Sequence, residues 1–161
     1  MKILIVDDHA VIHHGLQRML EDEFPGASFG DARNSQQAFD LVCQECWDVA
    51  ILDIELPGRG GLELLKQIHM ECPKLPVIVF SMHSEEQFAV RAFKAGASGY
   101  LEKESAPAQM VEAIRKVVRG GRYVSPELAE QLAGSLDQGL PLVPHEILSD
   151  REFEVLRMIA A

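Results

Sequence analysis

Three aspartates, a serine and a lysine stand out because each closes or follows a short apolar run. Asp7 and Asp8 follow Ile3-Leu4-Ile5-Val6, Asp53 follows Val49-Ala50-Ile51-Leu52, Ser81 follows Val77-Ile78-Val79-Phe80, and Lys103 comes just after the run from Ser98 to Leu101. If those runs are strands of one parallel sheet, the five side chains gather at one rim, where such sheets place their ligands. Two carboxylates ~4 Å apart repel by roughly 4 kcal/mol at an effective dielectric of 20, so the cluster calls for a cation. Oxygen donors with room for water suit Mg²⁺. An aspartate carboxylate can act as a nucleophile that forms an acyl phosphate, and the rest of that chemistry is positioning and charge neutralisation. Asp53 is the expected acceptor. The Lys103 ammonium would neutralise phosphoryl charge and the Ser81 hydroxyl would donate a hydrogen bond to a phosphoryl oxygen.

Taken singly, each residue has an ordinary reading. Asp7-Asp8 could be a polar loop, Asp53 a turn residue, Ser81 a turn cap and Lys103 a solvated cation. Their coincidence at the same end of four runs is what favours chemistry.

The elements that must hold them alternate. Five β-rich runs, Lys2 to Asp7, Ala27 to Ala32, Val49 to Asp53, Pro76 to Phe80 and Ser98 to Leu101, are separated by helical patterns. The third and fourth runs are continuously apolar, as strands covered on both faces must be. Val11, Leu16, Met19 and Leu20 mark the first helix; Ala38, Leu41 and Val42 the second; Leu62, Leu64, Leu65 and Ile68 the third. Phe88, Val90, Ala92 and Phe93 mark the fourth, and Met110, Val111, Ile114, Val117 and Val118 the fifth. Ser35 stands as a start signal for the second helix, Ser84 with Gln87 forms a capping-box pattern before the fourth, and Gly96 and Gly120-Gly121 are stops. Fivefold β-α alternation implies a parallel sheet with helices on both faces.

After Gly121 the texture changes. Ser125-Pro126-Glu127-Leu128 reads as the capped start of a short helix that Gly134 would end, and residues 135–144, with Gly139, Pro141 and Pro144, read as linker. Ser149-Asp150-Arg151-Glu152 is a capping box opening an amphipathic helix with Phe153, Val155, Leu156 and Ile159. A lone helix of that length is marginal in water, so it must dock or belong to a further domain.

A formal charge of −10 and 47% hydrophobic residues fit one soluble domain with a small appendage, and the acidity disfavours nucleic-acid binding by this segment. No apolar run approaches the ~20 residues of a membrane helix, and the opening run ends at once in Asp7-Asp8 rather than in a signal-peptide pattern. A cytoplasmic location is expected. Cys43-x-x-Cys46 falls late in a helical pattern, with Cys72 as the third cysteine, so reduced cysteines in or near the core are expected rather than a redox or zinc site. Adjacent residues on a helix do not face each other, so His13-His14 is expected at the surface rather than at a metal.

The segments Ile3-Leu4-Ile5-Val6-Asp7-Asp8-His9, Asp53-Ile54-Glu55-Leu56-Pro57-Gly58-Arg59-Gly60-Gly61-Leu62-Glu63 and Gly96-Ala97-Ser98-Gly99-Tyr100-Leu101-Glu102-Lys103, with Ser81 between the last two, resemble the receivers of two-component response regulators, particularly the NarL/FixJ family. The resemblance covers about residues 1–119. It implies a flavodoxin-like (βα)5 fold with strand order 2-1-3-4-5, phosphorylation of Asp53 by a sensor histidine kinase or a small acyl-phosphate donor, and regulation rather than enzymatic turnover, beyond Mg²⁺-dependent self-phosphorylation and self-dephosphorylation. It also implies Mg²⁺ held directly by Asp8 and Asp53, through water by Asp7, and by the backbone carbonyl of Glu55. Ser81 and Tyr100 would form a switch pair: as Ser81 moves toward the phosphoryl group, the tyrosine ring turns into the space it leaves. The segment Leu148-Ser149-Asp150-Arg151-Glu152-Phe153-Glu154-Val155-Leu156 resembles the first helix of a LuxR-type helix-turn-helix domain. The implied organisation is a receiver over residues 1–121, a linker with a short helix over 122–146, and the start of a truncated output domain over 147–161. Phosphorylation would then control homodimerisation, and DNA would be contacted only through the missing part of the output domain.

Two other readings remain. Asp53-Ile54-Glu55 superficially resembles the Asp-x-Asp signature of haloacid-dehalogenase-type phosphatases, although Glu55 replaces the acid/base aspartate and the nucleophile sits on the third strand. A stand-alone receiver relaying phosphate without an output is the other.

Overall fold

In a computed structural model, residues 1–57, 60–105 and 107–130 are described, apart from the side chains of residues 85–87. The alternation expected from sequence is present. It runs β1 (Lys2–Val6), α1 (Ala10–Glu23), β2 (Ser28–Ala32), α2 (Ser35–Gln44), β3 (Val49–Leu52), α3 (Gly61–Glu71), β4 (Val77–Ser81), α4 (Glu85–Ala95), β5 (Gly99–Glu102) and α5 (Pro107–Val118). Strand ends differ from the sequence expectation by one residue. The five strands are all parallel, in the order β2-β1-β3-β4-β5.

Strand alternation divides the core in two. Ile3 and Ile5 of β1, Val49 and Ile51 of β3, Ile78 of β4 and Leu101 of β5 pack with α1 and α5 residues such as Leu16, Leu20, Met110 and Ile114. Leu4, Val6, Ala50, Leu52, Val77, Val79 and Tyr100 pack on the other face with Ala38, Leu64, Ile68, Ala92 and Phe93 of α2, α3 and α4. Fully burying one such side chain contributes about 1.5–3 kcal/mol, so a one-residue slip in any central strand would forfeit many such terms at once. The edge strand β2 is less constrained and more exposed.

Local signals explain most boundaries. Asn34 is the N-cap of α2, its side chain accepting the Gln37 N–H at 2.9 Å, so Ser35 is the first helical residue rather than the cap. Ser84 does occupy the N-cap of α4, but its side chain makes no capping bond. Gly96 ends that helix in the left-handed region at φ 115°, and a Cβ there would meet the His69 ring at 2.6 Å. After α5, Gly120 N–H reaches the Val117 carbonyl and Gly121 N–H the Lys116 carbonyl. Beyond it, residues 126–130 are helical, with Ser125 Oγ accepting the Leu128 N–H at 3.1 Å as a cap. The remainder of the expected linker and the output-domain helix lie outside the described residues.

Three expectations are corrected. Val11 and Val118, assigned to the apolar stripes of α1 and α5, are 86% and 40% exposed. Cys43, near the end of α2, and Cys46, just beyond it, are exposed, whereas Cys72 at the end of α3 is half-buried against the core as expected. Desolvation, followed by the nearby Glu71 charge, pushes the Cys43 thiol up, away from the reactive thiolate. His13 is buried rather than superficial, its Nε2 lying 3.0 Å from Asp31 Oδ1 of β2 in an electrostatic contact without hydrogen-bond alignment. His14 is the exposed member, with Nδ1 at 2.6 Å from the Ala10 carbonyl. Among the described residues no helix is long and apolar enough to cross a membrane.

Candidate functional site

The register of β1 against β3 builds the site. Ile5 pairs with Ile51 and Val6 with Leu52, and Asp53 N–H donates to the Val6 carbonyl at 2.9 Å, so the next residues on both chains, Asp7 and Asp53, emerge side by side. Because side chains alternate, Ile3, Ile5 and Asp7 share a face with Val49, Ile51 and Asp53. Leu101 and Lys103 fall on that same face, the one that packs α1 and α5. Ser81 and Tyr100 fall in the opposite register, with Val77 and Val79. One strand period therefore sorts the charged residues onto one side and the expected switch pair onto the other.

Lys103 Nζ bridges the two buried carboxylates. It donates to Asp53 Oδ2 at 2.9 Å and lies 2.9 Å from Asp7 Oδ2, an ion pair with poorer hydrogen-bond alignment. All three side chains are at most 4% exposed. Asp53 Oδ1 accepts the Glu55 N–H at 2.9 Å. Burial raises the Asp53 pKa above the ordinary aspartate value, and the Glu55 N–H and Lys103 only partly offset this. Burial also opposes the Lys103 ammonium, but its contacts with Asp53 and Asp7 outweigh that and hold its pKa above the ordinary lysine value.

Asp8 is more exposed than its neighbour and completes an acidic cluster. One ligand atom each from Asp7, Asp8, His9 and Asp53 lies within 4.8 Å of all the others. Glu55 sits two residues past Asp53 with its side chain turned to the far wall, Oε1 at 2.5 Å from His83 Nε2. The β3–α3 loop reaches this shape because Gly61 N–H bonds the Ile54 carbonyl at 3.0 Å and a Cβ on Gly61 would lie 2.2 Å from the Ile54 Cα. Only glycine fits there.

Ser81 is fully buried at the end of β4, its carbonyl accepting the Lys103 N–H at 2.7 Å and its Oγ accepting the His83 N–H at 3.1 Å. Tyr100 is 1% exposed, so its ring already lies inward, and its hydroxyl donates to the His83 carbonyl at 3.0 Å. The His83 ring also packs against Phe88 at 4.3 Å.

Asp7, Asp8, Asp53 and Lys103 are thus brought together, with Ser81 joined to Lys103 through the backbone. Two residues had been passed over or placed only loosely. His9 projects into the acidic cluster, and its position directly after the Asp7-Asp8 pair was the available signal. His83 gathers Ser81, Tyr100 and Glu55, which no spacing along the chain announces.

A family model for the response regulator receiver domain matches residues 3–115. The response regulator GacA of Pseudomonas syringae pv. syringae is 36% identical over 160 residues, covering 99% of this chain and 75% of that protein. The response regulator UvrY of Escherichia coli is 34% identical over the same length, covering 99% and 73%. Among solved structures, a LuxR-family two-component response regulator from Aurantimonas sp. superposes with a TM-score of 0.78 at 35% identity, covering 84% of this chain and 97% of that one.

Proposed function

Because the chain belongs to the response regulator receiver domain family, we propose that Asp53 is its phosphoryl acceptor and that phosphorylation there sets the state of the face carrying Tyr100. The observation that carries this reading is the buried Asp53 carboxylate, held between the Lys103 ammonium and the Glu55 N–H. An Asp53 oxygen forms a bond to phosphorus while the donor's bond breaks. The electron pair leaves with the imidazole nitrogen of a kinase phosphohistidine or with the carboxylate of a small acyl phosphate. Lys103, fixed at the rim by two carboxylates, would meet the phosphoryl oxygens in place and neutralise charge as it develops. Ser81 would donate its hydroxyl to a phosphoryl oxygen.

The donor set fits a hard divalent cation. Asp7, Asp8 and Asp53 supply clustered carboxylate oxygens, and the Glu55 carbonyl follows the acceptor by two residues. Mg²⁺ held by these four residues would screen the attacking carboxylate from the negative phosphoryl group. The fit rests on charge: three carboxylates face the buried Lys103 ammonium.

The inward Tyr100 ring is the arrangement expected once Ser81 engages a phosphoryl group, and the His83 carbonyl holds it there. Stabilising that arrangement would bias the α4–β5–α5 face toward association with a second copy. The relatives extend beyond the matched region by about a quarter of their length, and the receiver would act on a DNA-binding portion of that kind. The Glu55 carboxylate is paired with His83, which weighs against its serving as the acid/base of a phosphatase.

Incubation with acetyl phosphate and Mg²⁺, followed by a phosphate-affinity gel, tests the assignment. The wild-type chain should gain a retarded band, removed by hydroxylamine, that Asp53→Asn lacks entirely. An undiminished band in Asp53→Asn would overturn it.

A further inference from the structure

The chain does not leave the sheet when α5 ends. At Gly120, with φ 89°, it turns back, and Tyr123 then bridges Gly99 of β5 in parallel, its N–H donating to the Ser98 carbonyl at 2.9 Å. β5 is the last strand of the sheet, so this segment covers part of an edge strand. The segment also crosses that edge. Tyr123 is buried on the α1–α5 side with Leu101 and Val117. Val124 and Leu128 pack on the other side, in the cluster that holds Tyr100, Ala92 and Phe93. Ser125 is buried at the crossing and anchors helix 126–130. Its carbonyl accepts the Ala129 N–H at 2.9 Å and its Oγ the Leu128 N–H at 3.1 Å.

The crossing runs beside Tyr100. Continuing the Gly99–Tyr123 register by one residue sets Val124 next to Tyr100, and alternation puts both side chains on the same face. The Tyr100 hydroxyl reaches the His83 carbonyl beyond the end of β4, so the ring leans from β5 toward its inner neighbour. A ring turned the opposite way would lean over the outer edge of β5, into the space that Val124 fills. Protein interiors are close-packed, so one space does not hold both side chains.

We propose that the linker over residues 122–130 reads the state of Tyr100 directly: it packs on the β5 edge while the ring is inward and loosens when the ring turns outward. The proposal rests on the reading that phosphorylation of Asp53 favours the inward ring. Phosphorylation then fastens the linker to the receiver. Linkage makes the coupling reciprocal, so a docked linker raises the affinity of the acceptor site for a phosphoryl analogue by the same factor.

Hydrogen–deuterium exchange of the full chain, with and without beryllofluoride and Mg²⁺ as a stand-in for the phosphoryl group, reads both ends of this coupling. In the wild type the analogue should slow exchange in the β3–α3 loop and, by about fivefold or more, in residues 122–130. Val124→Ala should shrink the change in residues 122–130 and raise the half-saturating beryllofluoride concentration by a similar factor. Glu130→Ala, at an exposed position of the same helix, should do neither. A merely structural contact would loosen the linker of Val124→Ala equally with and without the analogue and leave half-saturation where it was. That result would overturn the proposal. So would a wild-type loop that responds while residues 122–130 exchange unchanged, and in both cases the acceptor assignment stands. If the wild-type loop fails to respond, or responds equally in Asp53→Asn, the acceptor reading falls and the linker proposal falls with it.

Discussion

The two ends of the sheet both carry charge, and they handle it in opposite ways. At the amino end, Lys2 N–H donates to Asp48 Oδ2 at 2.7 Å, the Lys2 ammonium pairs with Glu45, and it lies 4.7 Å above the Trp47 ring. Both members of that ion pair are more than 40% exposed. Charge there is balanced and solvated, the arrangement whose net worth is small. At the carboxyl end, Asp7, Asp8 and Asp53 face one Lys103, and three of the four are almost fully buried. Burial raises the Asp53 pKa there. One end is neutralised structure; the other holds an excess of buried negative charge that a cation or a phosphoryl group can exploit.

The largest effect should come from removing the lysine that bridges the two buried carboxylates. Lys103→Met would leave Asp7 and Asp53 buried without their ammonium partner, a change that costs about 3 kcal/mol in comparable pairs. Urea denaturation near neutral pH should show that loss. A loss under about 0.5 kcal/mol would mean the rim is as well screened as the amino end.

A smaller shift of opposite sign is expected at the acceptor. The folded Asp53 carboxyl keeps its proton to higher pH than the unfolded chain does, so its contribution to stability is present at acid pH and fades as pH rises through its folded pKa. Near neutrality its charge opposes folding. In the absence of added metal, Asp53→Asn should therefore raise the thermal midpoint, by about 4 °C if the gain is ~1 kcal/mol. The gain should shrink as the pH of the melt is lowered. A lower midpoint in the variant would contradict the stored-charge account.

The smallest effect belongs to the amino end. Glu45→Ala should change stability by less than about 0.5 kcal/mol, and 1 M NaCl should erase what difference there is. A cost near that of Lys103→Met would dissolve the contrast between the two ends.

Much of this was legible along the chain for one reason: strand alternation and helical periodicity are local. The continuously apolar Val49–Leu52 announces a central strand, and Asp53 at its end announces the rim. The misreadings came from properties that no local window contains. His13 and His14 are adjacent and alike in type, yet one is buried against Asp31 of β2 and the other faces solvent, because only the docking of α1 on the sheet decides which side is inside. Cys43 and Cys46 passed for core residues until the end of α2 was placed. The links of His83 to Ser81, Tyr100 and Glu55 exist only once the end of β4, β5 and the β3–α3 loop come together.

The sequence by itself determined the alternating architecture, the rim and the residue types able to hold a cation and a phosphoryl group, since each is written as apolar periodicity ending in a charged side chain. Tertiary structure decided the rest: the β1–β3 register that sets Asp7 beside Asp53, the burial that raises the Asp53 pKa, and the turn into α1 that aims His9 at both. Those depend on distances between segments far apart in the chain, and such distances appear only when the sheet closes its pairings and excludes water.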